Sequence, residues 1–358
     1  MRNICLMAIV LLLFSCEDTK KVEITSVLKG EKISFECDLV GKVILDVQDS
    51  LLLMYHAKND TLVGVYFLED NRVSKPKKII GKGSGPSDMI GTFYASSPNY
   101  LSFCDFYQNT KMLRLHKDSL RNYGGLESIK LSMEMGVFPT SYTNTYIWLS
   151  DDTFMYIGGD FNEENILTVV DIAKQRNFPC SMWFNDDYKG ENIVKQGAYV
   201  INAHIYKHPS KPVYIYTCGN GQYLETFSLN SEYKVENRRV ILKKKPVYEN
   251  TPDGLNYKIK ESDMYNPQGV KFVIPTEKYL YIMLNNPINN EKGEKTDYKG
   301  YSFFHNDIFQ VFDWEGNHIK NIQLELPCYN MGWDAKNSIL YTLTEEESYD
   351  VLMRYNLE

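Results

Sequence analysis

The stretch "IFQVFDWEGNHIKNIQL" (Ile308–Leu324) decides the fold, because it alternates strand, turn and strand. Its middle, Glu315-Gly316-Asn317, has the residue types that tolerate a positive φ in a hairpin turn. Apolar and β-branched residues flank the turn on both sides. The stretch therefore predicts an antiparallel β-hairpin.

Similar segments recur along the chain. A short apolar strand pattern appears six times, and a second unit with a polar turn in its middle follows each copy. The copies are spaced by roughly 50 to 65 residues, slightly more than the ~40–50 residues of common propeller repeats. The six apolar strands are Ser50–His56, Tyr100–Phe106, Thr153–Gly159, Val213–Gly219, Tyr279–Asn285 and Ile339–Glu345.

Several of these strands, such as Tyr279–Asn285, are apolar on both faces. The strands of a lone two-layer sandwich more often alternate between core and solvent. Sheets that stack face to face around a ring are covered on both sides. The pattern therefore predicts an all-β fold, a six-bladed β-propeller with four-stranded antiparallel blades. A long β-sandwich or two smaller β domains is the alternative.

The last repeat stops at Glu358, where its turn and outer strand should follow. The N-terminal segment Glu31–Leu39 ("EKISFECDL") has a strand pattern but no repeat unit of its own. An unfinished blade has an exposed edge, which favours aggregation. We therefore expect the N-terminal strand to complete the sixth blade and close the ring.

The first residues have the features of an export signal. "MRNICLMAIVLLLFSC" has one positive charge, Arg2, and then the apolar run Ile4–Phe14, which is too short to span a bilayer. Leu13, Ser15 and Cys16 resemble a bacterial lipobox, in which Cys16 is lipidated. A plain cleaved signal with a chance cysteine is the alternative.

This reading divides the chain into a lipoprotein signal peptide (1–15), a lipid-anchored tether (16–30) and one propeller domain (31–358). Acidic residues directly after Cys16 resemble the export signal of surface lipoproteins in Bacteroidetes. The expected location is the bacterial cell envelope, with the lipid in the outer membrane, on its periplasmic face or the cell surface.

Charge and cysteine content exclude some classes of protein. Lys plus Arg total 39 against 46 Asp plus Glu, a net charge of −7, which argues against a nucleic-acid partner. Five cysteines follow Cys16 without CxxC spacing, so they predict neither a zinc site nor a complete disulfide framework. Cys104 and Cys218 lie in apolar strand patterns and are expected to be buried free thiols, whereas the pairing of Cys37 and Cys328 stays open.

The stretch "GKGSGP" contains Gly81, Gly83, Gly85 and Pro86. A dinucleotide-binding fingerprint requires a helix directly after the glycines, but Pro86 and a stretch without helical periodicity follow here. These residues are therefore interpreted as a structural turn between two blades.

With the acidic residue that follows, "GKGSGP" resembles a segment of the TolB-like six-bladed propeller lipoproteins of Bacteroidetes. The hairpin "FDWEGNHIKNIQL" and the lipobox resemble the same family. The resemblance implies the propeller fold and an envelope location. It implies no reaction and no catalytic residues.

The sequence predicts no catalytic residue, no metal site and no cofactor. His204 and His208 lie four apart on a predicted strand, about 13 Å from each other, which is too far for one zinc ion. The acidic pairs Asp151-Asp152 and Asp186-Asp187 are interpreted as turn residues. A calcium site would need clustered oxygen ligands, so calcium stays a possibility that the sequence does not support.

Two long insertions are the candidate binding loops. Lys243–Asn266 links two blades, and Asn285–Asp307 separates two strands of one blade. Long loops on a rigid scaffold often have a function, and aromatic side chains contact sugars or proteins. The alternative is that these loops cap the ring ends and pack locally. The candidate binding residues are Tyr248, Tyr257, Tyr265, Tyr298, Tyr301 and Phe303.

Three functions remain open. The first is a non-enzymatic binding propeller, anchored to a membrane through Cys16, that presents one ring face to a protein or glycan. The second is a metal-dependent lactonase or hydrolase with its site in the central tunnel, which needs at least three Asp, Glu, Asn or His side chains on the axis. The third is a structural spacer in an envelope assembly.

Overall fold

The computed structural model describes residues 23–36, 43–56, 60–69, 71–105, 111–120, 126–130, 145–159, 164–251, 257–259, 269–285, 306–346 and 349–357. Within these ranges the strands form six units of four antiparallel strands. Three units are separate four-stranded sheets, one is part of a five-stranded sheet, and two are joined in a ten-stranded sheet. The predicted six-bladed propeller is confirmed.

Two strands precede the first blade, β1 (Ser26–Leu28) and β2 (Glu31–Phe35). Blade 1 comprises β3 (Val43–Gln48), β4 (Leu51–Tyr55), β5 (Thr61–Glu69) and β7 (Lys77–Lys82), with β6 (Arg72–Val73) beside β5 and β8 (Asp88–Met89) beside β7. Blade 2 comprises β9 (Thr92–Ser96), β10 (Tyr100–Asp105), β11 (Lys111–His116) and β12 (Glu127–Lys130), and a 3₁₀ helix, Lys117–Ser119, follows β11. Blade 3 comprises β13 (Tyr146–Trp148), β14 (Thr153–Ile157), β15 (Leu167–Asp171) and β16 (Arg176–Pro179).

The second half of the ring includes a helix and an extra hairpin. Helix α1 (Asn192–Val200) precedes blade 4, which comprises β17 (His204–Lys207), β18 (Tyr214–Cys218), β19 (Tyr223–Leu229) and β20 (Val235–Lys243). The hairpin of β21 (Tyr248–Asn250) and β22 (Tyr257–Ile259) precedes blade 5, which comprises β23 (Val270–Pro275), β24 (Tyr279–Leu284), β25 (Asn306–Asp313) and β26 (His318–Cys328). Blade 6 comprises β27 (Asn330–Asp334), β28 (Ile339–Glu346) and β29 (Tyr349–Asn356), completed by β2.

Each repeated apolar segment of the sequence forms the second strand of a blade. All five residues of β4, β14 and β18 are buried, because each strand has a neighbour on both edges and a blade against both faces. Two-sided burial favours a continuous apolar run over alternation. The repeat in the sequence thus marks the most enclosed strand of every blade.

Strand β2 closes the ring as predicted. It pairs antiparallel with β29, with Glu31 opposite Arg354 and Ile33 opposite Leu352. Ile33 is buried, and the Arg354 guanidinium donates a hydrogen bond to the Glu31 carboxylate. The strand also pairs parallel with β6 of blade 1. The N-terminal segment therefore joins the last blade to the first.

Strand β1 lies in the segment that was expected to be a tether. It pairs parallel with β26, with Ser26 opposite Ile322, and forms a fifth strand on blade 5. The Asn321 side-chain amide also donates to the backbone carbonyl of Glu23 at 2.9 Å. Backbone pairing covers the outer edge of blade 5 and satisfies groups that an open edge leaves free. The ordered contacts of the chain thus start before residue 31.

Helix α1 was not predicted, since the sequence shows almost no helical periodicity. It has nine residues, and Glu191 at its N-cap makes no side-chain capping bond. A helix of this length is marginal in isolation and depends on tertiary packing. Its residues Val194–Val200 are all buried, which supplies that packing.

The two sides of the ring differ. Because every blade is an antiparallel meander that starts at its inner strand, the first-to-second and third-to-fourth connections lie on one side, and we call this side the turn face. The other side has the second-to-third and blade-to-blade connections, including α1 and the β21–β22 hairpin, and we call it the insertion face. The connections that contain the two predicted insertions, from β20 to β23 and from β24 to β25, therefore start and end on the insertion face.

Candidate functional site

The connections before and after blade 4 pack against each other on the insertion face. Helix α1 contacts both strands of the β21–β22 hairpin. We call residues 185–200 and 246–251 the insertion platform. The platform is fixed by one carboxylate, that of Asp186, which lies between the two connections.

Four donors surround Asp186. The hydroxyls of Tyr199 and Tyr248 each donate to Oδ2 at 3.0 Å, and Lys195 Nζ lies 3.0 Å from Oδ1. The backbone N–H of Tyr188 donates to Oδ1 at 3.3 Å. Because Tyr199 and Lys195 belong to α1 and Tyr248 begins β21, a single side chain fixes the helix relative to the hairpin.

The same contacts shift the pKa values of Asp186 and of the two tyrosines. Burial by itself raises the pKa of Asp186, but hydrogen bonds from Lys195, Tyr248 and Tyr199 outweigh it and lower the pKa below its usual value. Burial raises the pKa of both tyrosines above the usual value, and the Asp186 charge raises it further. At neutral pH the Asp186 carboxyl is therefore ionised and the two tyrosines are neutral.

Aromatic packing attaches the platform to blade 4. Phe184 stacks on Tyr199 with ring centroids 4.2 Å apart, and its edge contacts Tyr223 at 5.2 Å. The fully buried Glu225 accepts hydrogen bonds from Tyr223 at 2.9 Å and from Arg238, whose Nη2 lies 2.9 Å from Oε1. These contacts connect the insertion face to the third and fourth strands of the blade.

The predicted binding residues differ in where the structure places them. Tyr248 is half-buried, its hydroxyl donates to Asp186, and its ring packs 5.0 Å from that of Tyr188, so it supports the platform from within. Tyr257 lies on β22 opposite Asn250. Tyr265, Tyr298, Tyr301 and Phe303 lie outside the described residues.

The platform residues that the sequence analysis missed are Asp186, Lys195 and Tyr199. Asp186 was interpreted as a turn residue, and the other two lie on a helix with no clear signal. Nothing in their spacing relates them to Tyr248, because the contacts are made between separate connections. The exposed residues of the platform include Lys189, Glu191, Glu249 and Asn250, which are polar or charged, and Val247, which is apolar.

The glycine turn lies between blades 1 and 2. Gly81 is on β7 opposite Asp88 of β8, and the loop between them folds around the Asp88 side chain. A Cβ at Gly85 would lie 2.6 Å from Asp88 Oδ2, a Cβ at Gly83 would lie 3.2 Å from it, and a Cβ at Gly81 would overlap Oδ1. Lys111 Nζ donates to the carbonyl of Gly85 at 2.8 Å. The glycines thus make room for a carboxylate of the chain itself.

A cavity of about 260 Å³ lies on the ring axis. First strands of five blades line it, mostly with apolar side chains and backbone, and the aromatic lining residues include Tyr206, Phe272 and Trp333. Asp46 and Lys207 are its two charged lining residues. The described residues therefore place one carboxylate there, fewer than the three polar ligands that the enzyme hypothesis requires.

Asp46 is held by neighbouring polar groups. The Tyr94 hydroxyl and the Gln48 amide donate to Oδ2, and the Val47 backbone N–H donates to Oδ1 at 2.8 Å. Burial raises the pKa of Asp46 despite these bonds, and Lys117 lowers it only through a longer-range charge. Asp46 therefore differs from Asp186, which has a lysine in direct contact.

Within the described residues, no group of three or more His, Cys, Asp or Glu side chains is arranged to hold a metal ion. Among the described residues, Cys104 and Cys218 are buried and form no disulfide, as predicted, and the same holds for Cys180 and Cys328. Burial raises the pKa of Cys104 to about 12 and that of Cys328 to about 11, so these thiols are protonated at neutral pH. Cys16 and Cys37 lie outside the described residues.

The fold and the platform define a six-bladed propeller with one elaborated face. The family model described as TolB-like 6-blade propeller-like matches residues 43–334, and the chain belongs to this family. Among curated proteins, no sequence matches the chain significantly. Members of the family are generally associated with the bacterial cell envelope. Among the described residues, no helix has the length and hydropathy needed to cross a bilayer.

Solved structures share the fold at low sequence identity. A member of the DUF4221 family from Bacteroides vulgatus aligns over 94% of this chain and 97% of its own, with a TM-score of 0.60 and 10% identity. Hydrazine synthase from Kuenenia stuttgartiensis aligns over 86% and 75%, with a TM-score of 0.42 and 13% identity. At 10% identity, the likeness to the DUF4221 member shows the fold alone.

Proposed function

We propose that this protein is a binding module of the cell envelope, anchored to a membrane by lipidated Cys16, and that its insertion platform contacts a protein or glycan partner. The observation that carries this proposal is the organisation of the insertion face. There, two connections form a helix and a hairpin around Asp186, whereas the turn-face connections of blades 4 and 5 are short turns. Rigid scaffolds with elaborated loops are typical of recognition proteins.

The composition of the platform supports modest polar recognition. Its aromatic rings are turned inward onto one another and onto blade 4, and its exposed positions include Lys189, Glu191, Glu249 and Asn250. Polar and charged residues of this kind form the rim of reversible interfaces. Because the side chains beneath them are fixed, binding would require little ordering of the platform.

The position of the N-terminus supports anchoring with the insertion face outward. Strand β1 runs parallel to β26, which starts at the turn face, so Glu23 lies near that face. The seven residues from Cys16 to Glu23 span at most about 25 Å. A lipid on Cys16 would therefore keep the turn face near the membrane and leave the platform accessible.

The binding hypothesis fits the axial cavity better than the enzyme hypothesis does. Metal-dependent hydrolysis needs several oxygen or nitrogen ligands that converge on one ion. In the described part of the chain the cavity offers one carboxylate, Asp46, and that carboxylate already accepts three hydrogen bonds.

Photo-crosslinking in the native cell tests the proposed surface. A benzoylphenylalanine placed at Glu249, on the platform, should form a discrete adduct with a partner. The same group at Lys278, an exposed position in a turn-face connection, should form none. Adducts from Lys278 without any from Glu249, or none from either position, would contradict the proposal.

Membrane fractionation tests the anchor separately. A Cys16→Ala variant should leave the membrane fraction and appear as a soluble protein with an unchanged melting temperature, since Cys16 precedes the first strand in the sequence. A variant that stays in the membrane fraction would show that another segment holds the protein there, while the crosslinking result would stand.

A further inference from the structure

A second groove lies at the rim of the ring between blades 3 and 4, away from the insertion platform. Its volume is about 520 Å³, within the roughly 300–1,000 Å³ of small-molecule sites. Strand β16 forms one wall, and the turn between β19 and β20 forms the other. The side chains that matter here are Lys174, Arg176, Phe178, Glu232, Tyr233 and Lys234.

Two aromatic rings meet across this groove. The ring centroids of Phe178 and Tyr233 are 5.2 Å apart, and the ring planes are tilted by 54°. Both residues are partly exposed. The Tyr233 hydroxyl makes no hydrogen bond within the described residues. The groove therefore offers an apolar surface beside a free hydroxyl, the combination that binds a sugar ring.

Two cations beside these rings are not neutralised. Arg176 lies over the Phe178 ring, 5.3 Å from its centroid, and Lys234 Nζ donates only to neutral oxygens, those of Pro179 and Ser181, at 3.3 Å. In the described part of the chain neither cation has a carboxylate within salt-bridge distance. Lys174 differs, because it pairs with Asp171 at 2.8 Å.

Glu232 is the one carboxylate among the groove-lining residues, and it is exposed. The groove as a whole keeps a positive excess on a chain whose net charge is −7. A local charge opposite in sign to that of the whole protein favours an anionic ligand at this place.

The backbone at Tyr233 is unusual for its residue type. The turn of blade 4 has the same hydrogen bonds as the turn of blade 5: Tyr233 N–H donates to Asn230 O at 3.0 Å, as Gly316 N–H donates to Asp313 O at 3.1 Å. The equivalent residues have φ of +61° and +86°. Blade 5 has glycine at this left-handed position, the residue that adopts it without steric cost, whereas blade 4 has an aromatic residue.

Strained non-glycine residues cluster at functional sites. With this backbone conformation, the Tyr233 ring of blade 4 contacts Phe178 of blade 3. The Asn230 side chain accepts a hydrogen bond from the next N–H, that of Lys234, at 2.9 Å. The turn therefore presents an aromatic ring and a cation together.

We propose that this groove binds a carboxylated sugar, a uronate residue of an oligosaccharide. The rings of Phe178 and Tyr233 pack against the apolar face of the pyranose, and Arg176 and Lys234 pair with its carboxylate. The Tyr233 hydroxyl bonds a sugar hydroxyl. The proposal does not depend on the insertion platform, because it concerns a different surface.

Isothermal titration calorimetry of the detergent-solubilised full-length protein with trigalacturonic acid tests this inference. We expect binding that weakens as salt rises, and no binding of the neutral trisaccharide maltotriose. Arg176→Ala and Lys234→Ala should each weaken binding by roughly tenfold, since each removes a charge-assisted contact. Lys174→Ala is the matched control, and it should leave the affinity unchanged because Asp171 already pairs with this cation.

Tyr233→Gly separates a binding role from a structural one. Glycine suits the positive φ, so the melting temperature should stay close to that of the native protein while binding is lost. No binding of trigalacturonate by the native protein, or equal binding of maltotriose, would overturn the proposal. So would full competition by phosphatidylglycerol vesicles or inorganic phosphate, because the groove would then be a phosphate site. Unchanged affinity in Tyr233→Gly would overturn it as well.

Discussion

The insertion platform and the axial cavity are each built around one aspartate that accepts a tyrosine hydroxyl, yet the two carboxylates respond to their surroundings in opposite ways. On the platform, Lys195 contacts Asp186 directly, and the pKa of Asp186 is lowered. On the axis, Asp46 has hydrogen bonds but no cation in contact, and burial raises its pKa. At Asp46 the hydrogen bonds do not offset the effect of burial on the pKa, whereas at Asp186 the hydrogen bonds together with the contacting ammonium of Lys195 do.

The largest effect on stability is expected when the closure of the ring, on which both regions depend, is removed. Deletion of residues 31–35 removes β2, which opens blade 6 and separates it from blade 1. We expect the melting temperature to fall by about 10 °C or more, with aggregation through the exposed edge of β29. Differential scanning calorimetry and light scattering measure both. An unchanged melting temperature would show that β2 does not close the ring.

A smaller but distinct effect is expected on the platform. Asp186→Asn leaves the Lys195 ammonium without its counter-charge in a site where the lysine side chain is 9% exposed. We expect a loss of about 2 kcal/mol in the free energy of unfolding at pH 7, measured by urea denaturation. Asp187→Asn, one residue further on and exposed, is the control and should change nothing.

The contribution of the Asp186–Lys195 pair to stability should depend on pH. Because the folded pKa of Asp186 lies below its unfolded value of 3.8, its stabilisation is present above that value and is lost as pH falls through the folded pKa. The difference between native protein and Asp186→Asn should therefore shrink on acidification below about pH 4. A difference that stays constant to pH 2 would contradict the ion pair.

The smallest effect on stability is expected from Asp46 in the axial cavity. Its replacement should stabilise the protein, whereas replacement of Asp186 should destabilise it. The folded pKa of Asp46 is raised, so its ionised form costs stability once pH exceeds the unfolded value of 3.8. Asp46→Asn keeps an acceptor for Tyr94 and removes the charge, so we expect stability at pH 7 to rise by up to about 1 kcal/mol. The gain should vanish below pH 4, and a clear loss at pH 7 would show that Asp46 is stabilising as a carboxylate.

The sequence predicted the blades and the ring closure better than it predicted the candidate binding site. The repeats located the second strand of every blade, and Glu31–Leu39 contained the closing strand Glu31–Phe35. The inner strands were not recognised, because some are as short as Tyr146–Trp148 and their side chains alternate between blades rather than between core and solvent. Of the candidate binding residues, Tyr248 supports the platform from within, and the four beyond Tyr257 lie outside the described residues.

By itself, the sequence determined that this chain is a ring of antiparallel sheets closed by its own N-terminal strand. Apolar repeats and turn residues are local signals, because each lies within a short stretch of sequence. Only the tertiary structure decided which polar groups meet. Asp186 joins Lys195 and Tyr248 across separate connections, and Tyr233 meets Phe178 across two blades. Such contacts depend on the angle and register at which sheets pack, and neither quantity is encoded in the spacing of the residues concerned.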